Sequence, residues 1–224
     1  MTTFTGLINR AWRLASKPAA TRLDRALQDP VTQQHHYLLR WIDMNRDSAF
    51  GRKYDFRAIR TPADYRKAVP IQTYEDFRPW IERICHGEPR VLTHQNPVRL
   101  LPSSGSSGPY KLIPMTRDLL RSFQEAVFAW VHHLFSAQPE LMGGSAYWAI
   151  SPAMQKPEVE SVIPIGYEDD AAYFGHWFQP LLHRIWPVPS TVQHAQSIEV
   201  FQEVTLLHLL LARDLRLISI WHPS

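Results

Sequence analysis

Small hydroxyl and glycine residues crowd into one stretch near the middle of this chain. Ser103, Ser104, Gly105, Ser106, Ser107 and Gly108 run without interruption, and Lys111 follows shortly after. Glycine accepts positive φ and carries no Cβ, so a ligand can approach its backbone closely. Successive N–H groups in such a turn form a concave nest for an anion. Serine hydroxyls add donors, and a lysine adds a full positive charge. Apolar runs bracket the loop, Val98–Pro102 before it and Tyr110–Pro114 after it. The residue types therefore predict a phosphate-gripping loop between two strands. A plain flexible connection is the alternative, but the setting between two strand patterns favours anion binding. The stretch is not a Walker-type P-loop: Lys111 does not directly follow a glycine, and no Ser or Thr follows it. Nor does the chain contain the Gly-x-Ser-x-Gly of a nucleophile elbow.

Other residues able to do chemistry are less well placed. The eleven histidines include the adjacent pairs His35-His36 and His132-His133, whose side chains diverge on a helix. His176 and His183 stand two helical turns apart, and neither His-Glu-x-x-His nor paired-cysteine spacing occurs. Structural histidines are the expectation, with no metal site and no catalytic residue assigned. Cys85-His86 lies at a predicted helix end without an activating neighbour. Glu168-Asp169-Asp170 reads as acids favouring a helix N-terminus rather than as a metal cluster.

The elements that must position the loop fall into two regions. Residues 1–95 read as mainly helical. Phe4, Leu7, Ile8, Ala11 and Leu14 recur at helical spacing, as do Tyr37, Leu38, Trp41 and Ile42 after a break at Pro30. Phe50-Gly51 reads as the end of that helical stretch. Thr61-Pro62-Ala63-Asp64 is a helix start, as is Thr73-Tyr74-Glu75-Asp76, whose helix is expected to close at Gly87. Residues 96–224 alternate strands and helices. Thr116-Arg117-Asp118 caps a helix with Leu120, Phe123, Val127, Val131, Leu134 and Phe135 on one face. Ala146–Ile150 and Leu215–Trp221 read as strands, Asp170–Ile185 and Ser197–Arg213 as helices, with Leu206–Leu211 taken as helix core. The alternation indicates an α/β fold with mostly parallel pairing.

Composition sets broad limits. Apolar residues make up 45% of the 224-residue chain, enough for a real core. The net charge of +3 is scattered, which argues against a nucleic-acid partner. The single cysteine fits a reducing, cytoplasmic setting. The longest strongly apolar run, Val204–Ala212, is too short to span a bilayer and contains His208. The chain stops directly after an apolar strand, which reads as a domain cut short.

Ser103–Lys111 resembles the phosphate-binding signature of the adenylate-forming superfamily: two hydroxyl residues, Gly, two hydroxyl residues, Gly, a variable residue, Pro and Lys. The glycine-to-lysine spacing agrees. The proline stands one place early, at Pro109, so the tip is expected to differ. The continuation Lys111-Leu112-Ile113-Pro114 with Thr116 is similar to the auxin-responsive promoter family of acyl acid amido synthetases. Val69-Pro70 with Thr73–Asp76 resembles that family's helix before the loop. Ala146–Pro152, Ile163–Tyr167 and Leu217–Ser224 resemble its bacterial members.

The resemblance implies an α/β fold: a helical N-terminal region followed by part of the mixed sheet of an adenylate-forming large domain. It implies a protein about twice this length, so residues 1–224 read as a truncated N-terminal portion. It implies a ligase that activates a small carboxylic acid as an acyl-adenylate with ATP and passes it to an amine such as an amino acid. The serine-glycine loop and Lys111 would hold ATP phosphates. Mg²⁺ would be expected in the complete enzyme, with no ligand for it among these residues. Phe123, Val127 and Tyr147 are candidates for the acyl pocket. The shortened chain is expected to be inactive alone, with a separately encoded C-terminal half as a possible partner and poor solubility if that half is missing. The alternative is a non-catalytic nucleotide- or acyl-binding module, or an inert truncated gene product.

Overall fold

The computed structural model describes residues 4–103, 111–149, 159–166 and 179–220. In chain order these form α1 (Phe4–Ala26), α2 (Pro30–Asn45), α3 (Ala49–Lys53), α4 (Pro62–Ala68), α5 (Tyr74–Cys85), β1 (Arg99–Pro102) and β2 (Leu112–Met115). They continue as α6 (Arg117–Ala137), β3 (Ser145–Ala149), α7 (Gln179–Ile185), α8 (Ile198–Leu211) and β4 (Leu215–Ile220), with short 3-10 turns between. The chain divides into two compact units. One comprises residues 1–23, 121–156 and 167–224, the other residues 24–120 and 157–166.

In the second unit, local chemistry fixes each helix start. The Asp29 carboxylate accepts from the Thr32 N–H at 3.2 Å, and Pro30 occupies the first position of α2, where no N–H is needed. Thr61 and Asp64 form a reciprocal box at α4: the Asp64 N–H donates to Thr61 Oγ1 at 3.1 Å, and the Thr61 N–H donates to Asp64 Oδ2 at 2.8 Å. At α5, Asp76 Oδ2 accepts from both the Thr73 N–H (2.7 Å) and the Thr73 hydroxyl (2.8 Å). Gly87, at φ +83°, turns the chain after α5 as expected.

One short helix departs from the sequence reading. Phe50-Gly51 does not end the helical region but lies inside α3. Ser48 caps it, accepting from the Gly51 N–H at 2.9 Å while donating to the Asn45 carbonyl at 2.8 Å. Gly51 is present for space: a Cβ there would sit 2.2 Å from Asn45 O. Phe50 then becomes the hub of the core, with Tyr54, Phe56, Phe77 and Trp80 ring centroids 4.7–5.9 Å away. Ile81, Ile84, Leu100 and Leu112 are buried in the same cluster.

Among the described residues strand pairing is mixed. β1 and β2 are antiparallel, with Arg99 opposite Met115 and Pro102 opposite Leu112. The connecting stretch is too short for the crossover that parallel neighbours need. β3 and β4 are parallel, Trp148 opposite Ser219, and an isolated parallel bridge joins Leu100 to Ile165.

The first unit is centred on tryptophan. Trp12 of α1 lies 5.9 Å from Trp148 of β3 and 6.4 Å from Phe135 of α6. Buried Asn9 donates to the carbonyls of Met142 (3.1 Å) and Gly144 (3.0 Å), tying α1 to the turn that launches β3. Gly144 admits a close approach: a Cβ there would meet Asp214 O at 1.8 Å and Arg216 Cγ at 2.4 Å. In α8, Ser197 caps the helix by accepting from the Val200 N–H at 3.3 Å. Leu206–Leu211, expected as helix core, is instead mostly exposed. Thr205 is buried and Phe201, Val204, His208 and Leu209 half-buried along one face, whereas Leu206, Leu207, Leu210 and Leu211 are 55–74% exposed. The reason is helical geometry: positions three and four apart share the packed face, and the intervening leucines turn outward. Expected elements at residue 150, residues 167–178 and Trp221 lie outside the described residues, as does the Glu168–Asp170 cluster. Among the described residues no helix is long and apolar enough to cross a membrane.

Two outcomes are expected. Gly144→Ala should destabilise the protein by about 1–3 kcal/mol through steric overlap with Asp214, lowering Tm by roughly 3–10 °C, as thermal unfolding will measure. The second concerns acid. The Asp64 carboxyl is held below its ordinary range chiefly by the Thr61 side chain, and that of Asp76 chiefly by the Thr73 N–H. A carboxyl depressed in the folded state stabilises fully above its unfolded pKa, and the contribution is lost as pH falls through the lower folded value. Tm should therefore hold steady down to about pH 5 and fall below about pH 4, with a shallower fall in Asp76→Asn.

Candidate functional site

The loop is carried by the β1–β2 hairpin of the second unit. Ser103 and Lys111, its two ends, are described; Ser104, Gly105, Ser106, Ser107 and Gly108 lie outside the described residues. The ends meet directly, the Ser103 N–H donating to the Lys111 carbonyl at 2.8 Å. The loop therefore opens and closes at one point, held by paired strands. Leu100 is fully buried and Leu112 nearly so, which anchors each strand in the Phe50 core.

The N-terminus of α5 packs beside the hairpin. The Leu112 N–H donates to the Tyr74 hydroxyl oxygen at 2.7 Å. Lys111 is exposed, and its Nζ lies 5.9 Å from the centroid of the Tyr74 ring, at the outer reach of a cation–π contact. Glu75 next door accepts from Arg78 Nε and an Arg78 terminal nitrogen, both at 2.8 Å. Its carboxyl is held below the ordinary range chiefly by those Arg78 hydrogen bonds, with the nearby charges of Arg78 and Lys111 adding to the effect. An exposed ammonium held at the mouth of a glycine-serine loop is suited to meeting a multiply charged anion. No sequence motif marks Tyr74 as a site residue. It stands far from Lys111 in the chain, and only its place at the first position of a capped helix hints at a fixed location.

The other candidates distribute as follows. Phe123 and Val127 lie on α6 and Tyr147 on β3, all in the first unit. Val127 is 3% exposed, Phe123 and Tyr147 half-buried. The described histidines with resolved contacts make structural bonds. His132 Nδ1 lies 2.9 Å from the Arg13 carbonyl, and His208 Nδ1 lies 2.8 Å from that of Val204. The His94 N–H donates to Asn45 Oδ1 at 2.8 Å, and His94 Nε2 sits 3.5 Å from Asp118 Oδ2. Among the described residues no three His, Cys, Asp or Glu side chains gather as a metal site. Mg²⁺ beside phosphate oxygens needs only one or two protein carboxylates, so it enters no chemical step derived from the described residues. A surface cavity of about 310 Å³ beside His208 and Asp214 and another of about 320 Å³ beside Arg46 and Arg57 are lined by neither Ser103 nor Lys111.

Comparison with known proteins gives this arrangement its context. Residues 19–224 match the GH3 family N-terminal domain. An indole-3-acetic acid-amido synthetase, GH3.15 of Arabidopsis thaliana, is 49% identical over 57 residues, covering 25% of this chain and 10% of that protein. A probable indole-3-acetic acid-amido synthetase, GH3.13 of Oryza sativa subsp. japonica, is 45% identical over 60 residues, covering 26% of this chain and 13% of the relative. Among solved structures, a GH3.15 acyl acid amido synthetase superposes with a TM-score of 0.67 at 21% identity. That match covers 88% of this chain and 35% of the other, and it supports the α/β fold. The aligned part of this chain thus spans about a third of the solved relative's length. With residues 19–224 accounted for, the chain belongs to the GH3 family of acyl acid amido synthetases, of which it carries the N-terminal domain.

Proposed function

We propose that this chain contributes the triphosphate grip of an ATP-dependent acyl acid amido synthetase. The observation that carries the proposal is the closed hairpin: a serine-glycine loop whose ends are bonded at Ser103 and Lys111, with the lysine exposed at its mouth, in a chain of the GH3 family. In this reading the hydroxyl of Ser103 and the N–H and hydroxyl groups of Ser104, Gly105, Ser106, Ser107 and Gly108 hold the β- and γ-phosphates, and Lys111 offsets their charge.

The reaction so assigned has two steps. A substrate carboxylate oxygen attacks the α-phosphorus of ATP; the bond from that phosphorus to the bridging oxygen breaks, and pyrophosphate leaves. The nitrogen of an amine then attacks the acyl carbon, AMP departs, and the amine loses a proton. In the first step charge builds on the leaving pyrophosphate. Prepositioned donors and an ammonium lower that barrier by being in place beforehand. Small acyl acids are the substrate class we propose, since one solved relative is an acyl acid amido synthetase in complex with 2,4-DB. Phe123, Val127 and Tyr147 are the residues we propose for the acyl side, and an amino acid is the amine we propose.

Residues 1–224 act here as the N-terminal portion of an adenylate-forming domain, in a cytoplasmic setting that suits the one buried thiol, Cys85. The outward leucines of α8, with exposed Ile218 and Ile220 of β4, suit contact with further sequence of the family fold, continuous with this chain or supplied separately. A second reading is a nucleotide- or acyl-binding module without catalysis.

Carboxylate-dependent exchange of labelled pyrophosphate into ATP separates the two readings. We expect the folded chain alone to bind ATP without exchange, and to exchange once the remaining family sequence is supplied. A folded complex that binds ATP but never exchanges would establish the module reading. Lys111→Ala should weaken ATP binding by about tenfold, roughly 1.4 kcal/mol, in calorimetric titration. A folded variant that binds ATP as well as the parent would sink the loop assignment.

A further inference from the structure

We infer that Tyr74 is the positioning residue for Lys111, its hydroxyl fixing the main chain that carries the lysine and its ring lying beneath the ammonium. The inference rests on the reading of the loop as a phosphate grip, and deepens it by naming what holds the grip's only lysine in place.

The hydrogen-bond pattern of the hairpin carries the argument. In an antiparallel pair, residues bonded across the ladder alternate with residues whose N–H groups point away. The Ser103 N–H meets the Lys111 carbonyl at 2.8 Å, so position 111 faces β1 and the next N–H, that of Leu112, faces outward. Opposite Leu112 stands Pro102, in a pair that exchanges no ladder hydrogen bond, so no β1 carbonyl reaches this N–H. The outward N–H belongs to a residue only 4% exposed, where an unmet donor is costly. Tyr74 Oη meets it at 2.7 Å. The hydroxyl thus stands where a neighbouring strand would supply a carbonyl.

Tyr74 is itself fixed. It is the first residue of α5, directly after Thr73, whose N–H and hydroxyl are both held by Asp76. Its ring packs half-buried against the Phe50 core. The ring face then lies 5.9 Å from Lys111 Nζ, while Glu75 is engaged by Arg78 rather than by the lysine. A rigid capped helix therefore sets both the height of the strand and the direction of the lysine stem. The ammonium stays unbonded to any carboxylate among the described residues, ready for phosphate oxygens.

The test pairs a ligand readout with a main-chain readout. Tyr74→Phe keeps the ring and removes the acceptor; Tyr74→Leu removes both. In hydrogen exchange, the Leu112 amide should exchange about tenfold faster in Tyr74→Phe, with the Phe50 core amides unchanged. ATP affinity, titrated in the presence of Mg²⁺, should fall about threefold to tenfold in Tyr74→Phe and further in Tyr74→Leu. Because the residue acts through Lys111, Tyr74→Leu combined with Lys111→Ala should bind no more weakly than Lys111→Ala alone. Unchanged Leu112 exchange in Tyr74→Phe, or additive losses in the double variant, would overturn the inference while leaving the loop assignment standing. If the folded parent chain binds no ATP, the nucleotide reading fails and the inference with it. If Lys111→Ala weakens binding and Tyr74→Phe does not, only the inference fails.

Discussion

Burial of Leu100 and Leu112 is the constraint on which the candidate site depends. Strands of four residues joined by a loop do not hold together in water on their own. Here each strand sends one side chain into a core already organised around Phe50, and apolar burial of that kind is worth about 1.5–3 kcal/mol per side chain. Phe50 in turn owes its position to α3, and α3 to the Ser48 hydroxyl that joins Asn45 to Gly51. The two described ends of the loop, Ser103 and Lys111, are thus tied to the packed core of the unit, and a scaffold fixed in this way sets where a binding loop stands.

Electrostatics at the site follow from exposure. Lys111 projects at the surface beside the Glu75–Arg78 pair, whose side chains are 64% and 46% exposed. Such pairs contribute little to stability. What they do here is occupy Glu75. A carboxylate engaged by arginine competes less for the neighbouring ammonium, leaving the positive charge available. His94, by contrast, is engaged in local structure between Asn45 and Asp118.

Much of this was legible in the sequence, and the pattern of what was not has a physical cause. Helix starts at Thr61, Thr73 and Ser197 could be read directly, because a cap is chemistry between residues three apart. The strands flanking the loop, and the α/β character, follow from short apolar runs alternating with amphipathic helices. Gly51 is ambiguous in the sequence because glycine has two meanings: it can break a helix, and here it is needed for the close pass of the Asn45 carbonyl. The direction of pairing between β1 and β2 follows from their short connection, whereas the outward turn of Leu210 and Leu211 and the meeting of Tyr74 with Leu112 depend on contacts between distant parts of the chain. No local pattern encodes those. For the site itself, the loop and its lysine were legible as types and spacing, and the tyrosine beneath them was not.

The bridge between Leu100 and Ile165 has a consequence for how the protein is made. β1 has β2 on one edge and the segment Pro164–Gly166 on the other, where the Leu100 N–H donates to the Pro164 carbonyl at 2.9 Å and the Gly166 N–H to the Leu100 carbonyl at 2.8 Å. On the ribosome, both hairpin strands emerge about 50 residues before that second neighbour, an interval of roughly 3–10 s at ordinary elongation rates. Throughout it the strand that leads into the loop shows an open edge, the kind of surface that recruits foreign strands. Safe synthesis of this domain therefore turns on how quickly a segment far down the message arrives to close that edge.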